Sequence, residues 1–225
     1  FLNSTVARTE GLWSPRLGLV FKPLPTASIY ASWARSYLPQ SGDQFVTFDV
    51  NNAALAPETF DNYEAGAKWD VRPGLTLAGN TRATGPLPGT VVLTGSQRTR
   101  GMEVTLTGTL SSRWQTAMAY SRTLAEISST TAAAPAGRAV AQTPRDQISL
   151  WNRYDVTDRI GFGLGVLHQS HQFASISNAV RLPAFTRVDA ALFVKVSTRL
   201  SVQLNVENLL GTNYFPAAHS DNNIS

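Results

Sequence analysis

The sequence predicts an all-β fold, an antiparallel sheet of about ten strands that forms part of a membrane-spanning β-barrel. Three observations predict it: apolar and polar residues alternate along most segments, short turns alternate with long loops, and charged residues are scarce. Charged residues make up 15% of the 225 positions, against roughly 25% in ordinary soluble domains. Hydrophobic residues make up 43%, yet no apolar run reaches the roughly 18 residues that a membrane helix needs.

The alternation is clearest in the segment 199–209. Leu200, Val202, Leu204 and Val206 share one face, and polar residues occupy the positions between them. A period of two places successive side chains on opposite faces of a β-strand. The same pattern recurs along the chain. The predicted strands span residues 14–22, 26–38, 58–70, 74–79, 97–110, 113–127, 145–155, 159–170, 183–196 and 199–209.

The connections between these strands are alternately short and long. Proline, glycine, serine and aspartate mark short turns, which lie near residues 22–25, 70–74, 111–112, 157–158 and 197–198. The long loops cover residues 39–57, 80–93, 128–144, 171–182 and the tail from 211. Short turns at one end and long loops at the other are typical of outer-membrane barrels, in which the long loops lie outside the cell.

Aromatic residues near strand ends indicate girdles at two membrane interfaces, although strand propensity alone also enriches Trp and Tyr. These aromatics are Trp13, Phe21, Tyr30, Trp33, Tyr37, Trp69, Trp114, Tyr120, Trp151 and Tyr154. Charges on the polar faces should line the lumen, because a charge that faces lipid is costly. They are Glu103, Asp189, Glu207, Arg16, Arg187 and Lys195. Arg98 and Arg100 lie toward a strand end, where a long side chain can reach the interface.

No motif indicates an enzyme. The sequence has no nucleophile elbow, Gly-rich phosphate loop or zinc motif, and it contains no cysteine. His168 and His171 are three positions apart. In a continuous strand they would point to opposite faces, so we expect no protein metal site. The net charge of +4 comes from scattered basic residues, which gives little support to nucleic-acid binding.

Several segments resemble strands of TonB-dependent siderophore receptors. Asn208, Leu209 and Tyr214 match the family's closing signature N-L-F-D-x-x-Y, with leucine and glycine in place of its Phe and Asp. Residues 14–23 read SPRLGLVFKP, similar to the family's SPR-GLVYKP strand, and residues 97–103 read QRTRGME, similar to GeqRsrGvE. Further similar segments follow in the family's order at residues 29–37, 55–70, 149–154 and 187–190.

The resemblance implies a 22-stranded barrel whose lumen is closed by an N-terminal plug, in the outer membrane of a Gram-negative bacterium. Such receptors bind ferric siderophores from outside and import them with energy relayed by the TonB complex. Residues 1–225 would then be the C-terminal part of the barrel domain, with the plug and the first barrel half absent. The strand that begins at Leu75 lacks several of the family's residues near positions 79–80.

The resemblance also implies the partners. These are the ferric siderophore, the TonB complex through the missing N-terminal region, and outer-membrane lipid, with a monomer expected. No cofactor is expected, because iron arrives wrapped by its siderophore. A passive porin-like or structural barrel segment and a soluble all-β binding module remain open as alternative functions.

The long loops and the upper lumen should supply the ligand contacts. Arginines and aromatics suit an anionic, aromatic-rich chelate. The candidates are Tyr37, Gln40, Phe45, Arg138, Arg145, His171 and Phe173. Each has a plainer alternative as a girdle aromatic, a solvated loop charge or a cross-strand ion-pair partner.

Overall fold

Ten strands pair side by side in one antiparallel sheet. A computed structural model describes residues 9, 11–38, 57–84, 96–130, 134–219 and 223–224. The sheet consists of β1 (Arg16–Leu24), β2 (Ala27–Leu38), β3 (Glu58–Arg72), β4 (Leu75–Thr84), β5 (Gln97–Ser111), β6 (Trp114–Ile127), β7 (Asp146–Asp155), β8 (Ile160–Gln169), β11 (Phe185–Lys195) and β12 (Ser201–Val206). Two short pairs lie outside it: β9 (Gln172–Phe173) with β10 (Arg181–Leu182), and β13 (Ala218–His219) with β14 (Asn223–Ile224).

The strands follow one another in sequence order across the sheet, from β1 to β8 and then to β11 and β12. This meander is the connectivity of an up-and-down barrel wall. Within the described residues, β1 and β12 form the two edges. The predicted antiparallel all-β class with about ten strands is therefore confirmed. Among the same residues, no helix is long and apolar enough to cross a membrane.

The fourth strand departs from its prediction. A strand cut short at residue 79 was expected, but β4 runs on to Thr84, and Gly79 pairs with Ala67 on one side and with Val104 on the other. The sheet is thus continuous across residues 79–80, and the predicted end of the strand at residue 79 is wrong. Glycine and asparagine at this point have weak strand propensity, which hid a strand that both neighbours hold in place.

The cross-strand register sorts the side chains onto two faces. Residues directly opposite each other in an antiparallel pair share a face. Phe162 lies opposite Tyr154 and Leu192, and Leu192 lies opposite Leu204. We call this apolar side the outer face and the other side the inner face. The apolar side chains of the outer face are open to the surroundings, with Leu19 73% exposed.

Polar residues dominate the inner face. Glu64 and Arg82 lie opposite each other there and form an ion pair at 3.0 Å, and Asn80 donates a hydrogen bond to Glu103 at 3.4 Å. The six charged residues predicted to line the lumen all lie on the inner face. Cross-strand pairing places five of them there, and the sixth, Glu207, forms an ion pair with the inner-face residue Arg187. They are Arg16, Glu103, Arg187, Asp189, Lys195 and Glu207.

Two aromatic side chains lie over glycines on the inner face. Trp151 covers Gly163 and Gly165 of the neighbouring strand, where an added Cβ would come within 2.5 Å and 2.6 Å of the indole ring. Tyr30 covers Gly66 in the same way, at 2.6 Å. The girdle prediction is therefore wrong for Tyr30 and Trp151, which face inward. Side chains alternate between the two faces along a strand. Tyr30 follows the outer-face residue Ile29, and Trp151 follows the outer-face residue Leu150, so both aromatic rings lie on the inner face.

The chain after β12 is held by hydrogen bonds centred on Asp189. Its Oδ1 accepts the backbone N–H of Asn208 at 2.8 Å, and its Oδ2 accepts Nε and Nη2 of Arg187 at 3.2 and 2.8 Å. Arg187 Nη1 donates to the hydroxyl of Tyr214 at 3.1 Å. The Tyr214 ring stacks on Phe185 with its centroid 4.5 Å away. We call this group the Asp189 clamp.

Asn208 makes the turn that the clamp stabilises. Its φ of 53° lies in the left-handed region, which asparagine enters more readily than most residues. Its side chain accepts a hydrogen bond from the N–H of Thr212 at 2.9 Å and donates to the carbonyl of Thr212 at 3.0 Å. Asn208 and Tyr214 are two of the three positions that match the closing signature, so in this chain the signature encodes a turn and its anchor.

We predict that Gly163→Ala destabilises the protein. A methyl group at this position would clash with the Trp151 ring and lie 3.1 Å from the Cβ of Ala191. The free energy of unfolding should fall by about 1–3 kcal/mol, the usual cost of overpacking. The matched control is Gly18→Ala, because Ser32 Cβ, at 4.0 Å, leaves room there. Thermal denaturation of the purified protein measures both, and equal effects of the two substitutions would contradict the packing.

We also predict that Asp189→Ala loosens the turn after β12. The variant removes the acceptor for both Arg187 and the Asn208 N–H, and hydrogen bonds to a charged group contribute about 1.5–3 kcal/mol. Hydrogen exchange at the Asn208 amide should therefore accelerate at least about tenfold. Asp158→Asn is the control, because the Asp158 side chain is 100% exposed. Unchanged protection in Asp189→Ala would rule out the clamp.

Candidate ligand-binding site

Three connecting segments meet at one end of the sheet. We call the end that carries residues 128–130, 134–145 and 170–184 the long-loop end, and the opposite end the short-turn end. The segments 134–145, 170–184 and 207–219 together form what we call the loop platform. The segment 134–145 runs beside the end of β6 and forms backbone hydrogen bonds with it. The N–H of Ile127 donates to the carbonyl of Arg138 at 2.8 Å, and the N–H of Thr123 donates to the carbonyl of Arg145 at 2.7 Å.

Side-chain amides join the first segment to the other two. The Asn178 side chain accepts from the N–H of Ala139 at 2.9 Å and donates to the Ala139 carbonyl at 3.0 Å. Gln142 Nε2 donates to the carbonyl of Ala218 at 2.8 Å, and its backbone N–H donates to that of Phe173 at 2.8 Å. Gln142 and Asn178 adopt φ values of 51° and 56°, so both turns depend on residues in the left-handed region.

The loop platform has a small core of its own. Ala174, Leu182 and Ala218 are buried together, and Val180 packs against them. Gln172 is only 4% exposed, and its Nε2 donates to the carbonyl of Pro216 at 2.8 Å. A buried amide that keeps a hydrogen bond avoids a large desolvation penalty, so this contact fixes the third segment against the second.

A cavity of about 240 Å³ opens in the loop platform. Arg145, His171 and Phe173, three of the predicted ligand contacts, line it together. They combine a guanidinium, an imidazole and an aromatic ring. The other lining residues are Thr123, Leu124, Ala125, Glu126, Gly137, Ala139, Thr143 and Gln172. The cavity can therefore bind an anionic group through Arg145 and pack a ring against Phe173.

The remaining candidates lie elsewhere. Arg138 belongs to the loop platform, but its Nη1 donates to the carbonyl of Ile176 at 3.4 Å, and it does not line the cavity. Tyr37 lies opposite Thr59 on the strand pair β2–β3, away from the loop platform. Gln40 and Phe45 fall outside the described residues. The structure thus brings together three of the seven predicted contacts.

Four polar residues that line the cavity were not among the predicted contacts: Thr123, Glu126, Thr143 and Gln172. Glu126 lies at the end of a strand, where its alternation suggests an ordinary surface charge. Gln172 stands between two predicted contacts, His171 and Phe173. Its neighbours were the one signal that could have drawn attention to it.

Two further cavities lie at the short-turn end, and they share Arg153, Phe193 and Gln203. Their volumes are about 590 Å³ and 580 Å³. Arg153 lies over the Phe193 ring at 4.2 Å and donates to Asp155 at 2.9 Å. The cross-strand register places the side chains of all four residues on the inner face: Arg153, Asp155, Phe193 and Gln203. These cavities are therefore recesses in the inner face at the end opposite the loop platform.

The described residues contain no cluster of three or more His, Cys, Asp or Glu side chains that could hold a metal ion. His168 Nδ1 lies 2.8 Å from the hydroxyl of Thr186, whereas His171 lines the platform cavity. The two histidines thus belong to different surroundings, because β8 ends between them at Gln169.

Comparison with known proteins confirms the family resemblance. Residues 2–209 match the family model described as TonB dependent receptor-like, beta-barrel. The chain is 27% identical over 227 residues to the probable TonB-dependent siderophore receptor PiuA of Acinetobacter baumannii, covering 90% of this chain and 30% of PiuA. It is 28% identical over 227 residues to the catecholate siderophore receptor Fiu of Escherichia coli K12, covering 92% of this chain and 30% of Fiu.

Solved structures agree with the sequence relatives. The crystal structure of PiuA from Acinetobacter baumannii superposes with a TM-score of 0.84 at 25% identity, over 93% of this chain and 33% of PiuA. The closed form of Fiu from E. coli K12 shares the fold, with a TM-score of 0.76 at 24% identity, over 93% of this chain and 32% of Fiu. The chain spans about a third of the length of these relatives. The chain therefore belongs to the TonB-dependent receptor family and forms part of an outer-membrane β-barrel of a Gram-negative bacterium.

Proposed function

We propose that this chain is the C-terminal part of the barrel of a receptor that binds ferric siderophores at the cell surface. The receptor imports them with energy relayed by the TonB complex, and it acts as a transporter rather than an enzyme. The observation that carries the proposal is the platform cavity, where Arg145, His171 and Phe173 converge. Support comes from the family match over residues 2–209 and from relatives named as siderophore receptors.

The chemistry of the cavity suits part of such a ligand. A ferric siderophore presents anionic oxygens and, in the catecholate class, aromatic rings. Arg145 can donate charge-assisted hydrogen bonds to the oxygens, and Phe173 can stack on a ring. The cavity volume of about 240 Å³ is below the roughly 300–1,000 Å³ of pockets that enclose a whole small molecule. We infer that it holds one arm of the chelate, and that Tyr37, Gln40, Phe45 and Arg138 contribute outside it.

The two faces of the sheet have separate partners in this proposal. The outer face contacts membrane lipid, in keeping with its exposed apolar rows, among them Leu17 at 72% and Phe21 at 63%. The inner face lines the lumen and contacts a plug contributed by the N-terminal region of the full-length protein. The recesses around Arg153 and Phe193 offer room for plug side chains. The receptor is a monomer without a resident cofactor, and iron enters as substrate.

We predict that Arg145→Gln weakens binding of the cognate ferric siderophore to the full-length receptor. Loss of a charge-assisted hydrogen bond costs about 1.5–3 kcal/mol, which corresponds to an affinity about 10- to 100-fold lower. A panel of purified ferric siderophores, titrated by fluorescence quenching, first identifies the ligand and then measures the variant. The matched control is Arg199→Gln, an exposed arginine at the short-turn end, which should bind as the wild type does.

Transport tests the same assignment at the level of the cell. A strain that lacks the full-length gene should grow poorly under iron limitation when that siderophore is the sole iron source. Restoring the wild-type gene should rescue growth only when TonB is present. Rescue without TonB would instead favour the passive porin-like alternative, and equal growth of mutant and wild type on every siderophore would refute the proposed function.

A further inference from the structure

We propose that the segment 207–219 couples the platform cavity to the Asp189 clamp, so that a ligand arm bound in the cavity stabilises the clamp. The coupling rests on the proposed function, because it needs a siderophore arm in that cavity. It goes beyond that function by giving the chain after β12 a regulatory role. The later residues of the segment contact the cavity wall, and its earlier residues contact the inner face of the sheet.

Two side-chain amides join the segment to the cavity. Gln172 lines the cavity and donates from Nε2 to the carbonyl of Pro216 at 2.8 Å. Gln142 does not line the cavity. Its backbone N–H donates to the carbonyl of Phe173, which does, and its Nε2 donates to the carbonyl of Ala218, both at 2.8 Å. The cavity wall is therefore bound to the segment directly and through Gln142.

Burial makes this junction sensitive to movement. Ala218 is buried in the same small core as Ala174, which follows the cavity residue Phe173. Gln172 is also buried, so displacement of Pro216 would deprive its amide of a partner. A buried donor that loses its partner costs more than a surface hydrogen bond contributes. The cavity therefore keeps its shape only while the segment is docked.

The earlier residues of the segment reach the inner face. The Tyr214 ring stacks on Phe185, and the Tyr214 hydroxyl accepts from Arg187, which donates twice to Asp189. Tyr214 stands two positions before the carbonyl that accepts from the cavity wall. Arg187 and Asp189 lie on the inner face, which faces the lumen in the proposed function. Contacts thus run without a break from the cavity wall to the lumen.

The segment has the properties of a part that opens locally. Leu209, Leu210 and Phe215 are exposed, so little apolar burial opposes its release. Exposed segments held by a few hydrogen bonds open at a lower free-energy cost than the sheet does. Because the cavity needs the docked segment, a ligand that occupies the cavity shifts the equilibrium toward the docked state. The clamp at the start of the segment is then released less often.

Hydrogen exchange of the full-length receptor tests this coupling. The probe is the ferric siderophore of the titrated panel, catecholate or hydroxamate, that binds most tightly. At about 100 times its Kd, exchange can slow by up to about 100-fold wherever opening abolishes binding. We expect slowing of at least about tenfold at the Asn208 and Leu209 amides, which donate to Asp189 and Val188. The Val196 amide, in a turn at the short-turn end, should exchange at an unchanged rate.

Gln142→Asn separates the coupling from ligand binding. Asparagine also adopts the left-handed backbone of this position, but its amide is one methylene shorter and falls short of the Ala218 carbonyl. The variant should bind the siderophore as the wild type does, while the slowing at Asn208 falls by about 2- to 10-fold, the effect of one hydrogen bond. The matched control is Gln147→Asn, which shortens an amide that donates to Gln169 at 3.3 Å and should keep the full slowing.

The possible outcomes separate this coupling from the proposed function. Siderophore binding that leaves exchange at Asn208 unchanged would overturn the coupling alone, and so would equal slowing in Gln142→Asn and the wild type. Equal slowing at Val196 would overturn it too, because it would indicate a general stabilisation of the barrel. If no ferric siderophore binds, or if Arg145→Gln binds as the wild type does, the proposed function fails and the coupling fails with it.

Discussion

The backbone hydrogen-bond ladder between neighbouring strands is the constraint on which the rest of this structure depends. Each of the eight strands between β1 and β12 pairs on both sides, so its register is set twice. A slip of one residue would turn a strand's apolar side chains from one face to the other. The register therefore decides which residues lie on the apolar outer face, which lie on the polar inner face, and which emerge at the long-loop end.

Side chains on the inner face reinforce this register. Trp151 lies over Gly163 and Gly165 in the observed alignment, and Tyr30, which lies over Gly66, adds a hydrogen bond to Glu64 at 2.7 Å. In these contacts each aromatic ring packs against a glycine of the neighbouring strand, where there is no Cβ to exclude it. At the long-loop end the ladder continues into the loop platform, where side-chain amides replace strand pairing. The cavity that carries the proposed function is thus anchored, through these amides, to the sheet below it.

The sequence predicted most of the sheet because alternation is a local property. The bounds of β2, β6 and β7 agree with their predictions to within one or two residues, and Arg145, His171 and Phe173 were chosen from composition and loop position. Other features depend on long-range contacts that alternation does not reveal. β4 is held by two neighbours despite a weak local pattern. The pairing of Asn178 with Ala139 and the hydrogen bond from Gln172 to Pro216 join segments far apart in the chain.

The central claim is that the apolar face of this sheet meets lipid while its polar face lines the lumen. It can be tested directly on β12, because the chain contains no cysteine and a nitroxide label can be placed at one position at a time. Single-cysteine variants at each position of Ser201–Val206, in the full-length receptor in lipid bilayers, would be measured for collisions with oxygen and with a water-soluble nickel chelate. We expect high oxygen accessibility at Val202, Leu204 and Val206 and low accessibility at the positions between them. A uniform profile, or one with the opposite phase, would contradict it.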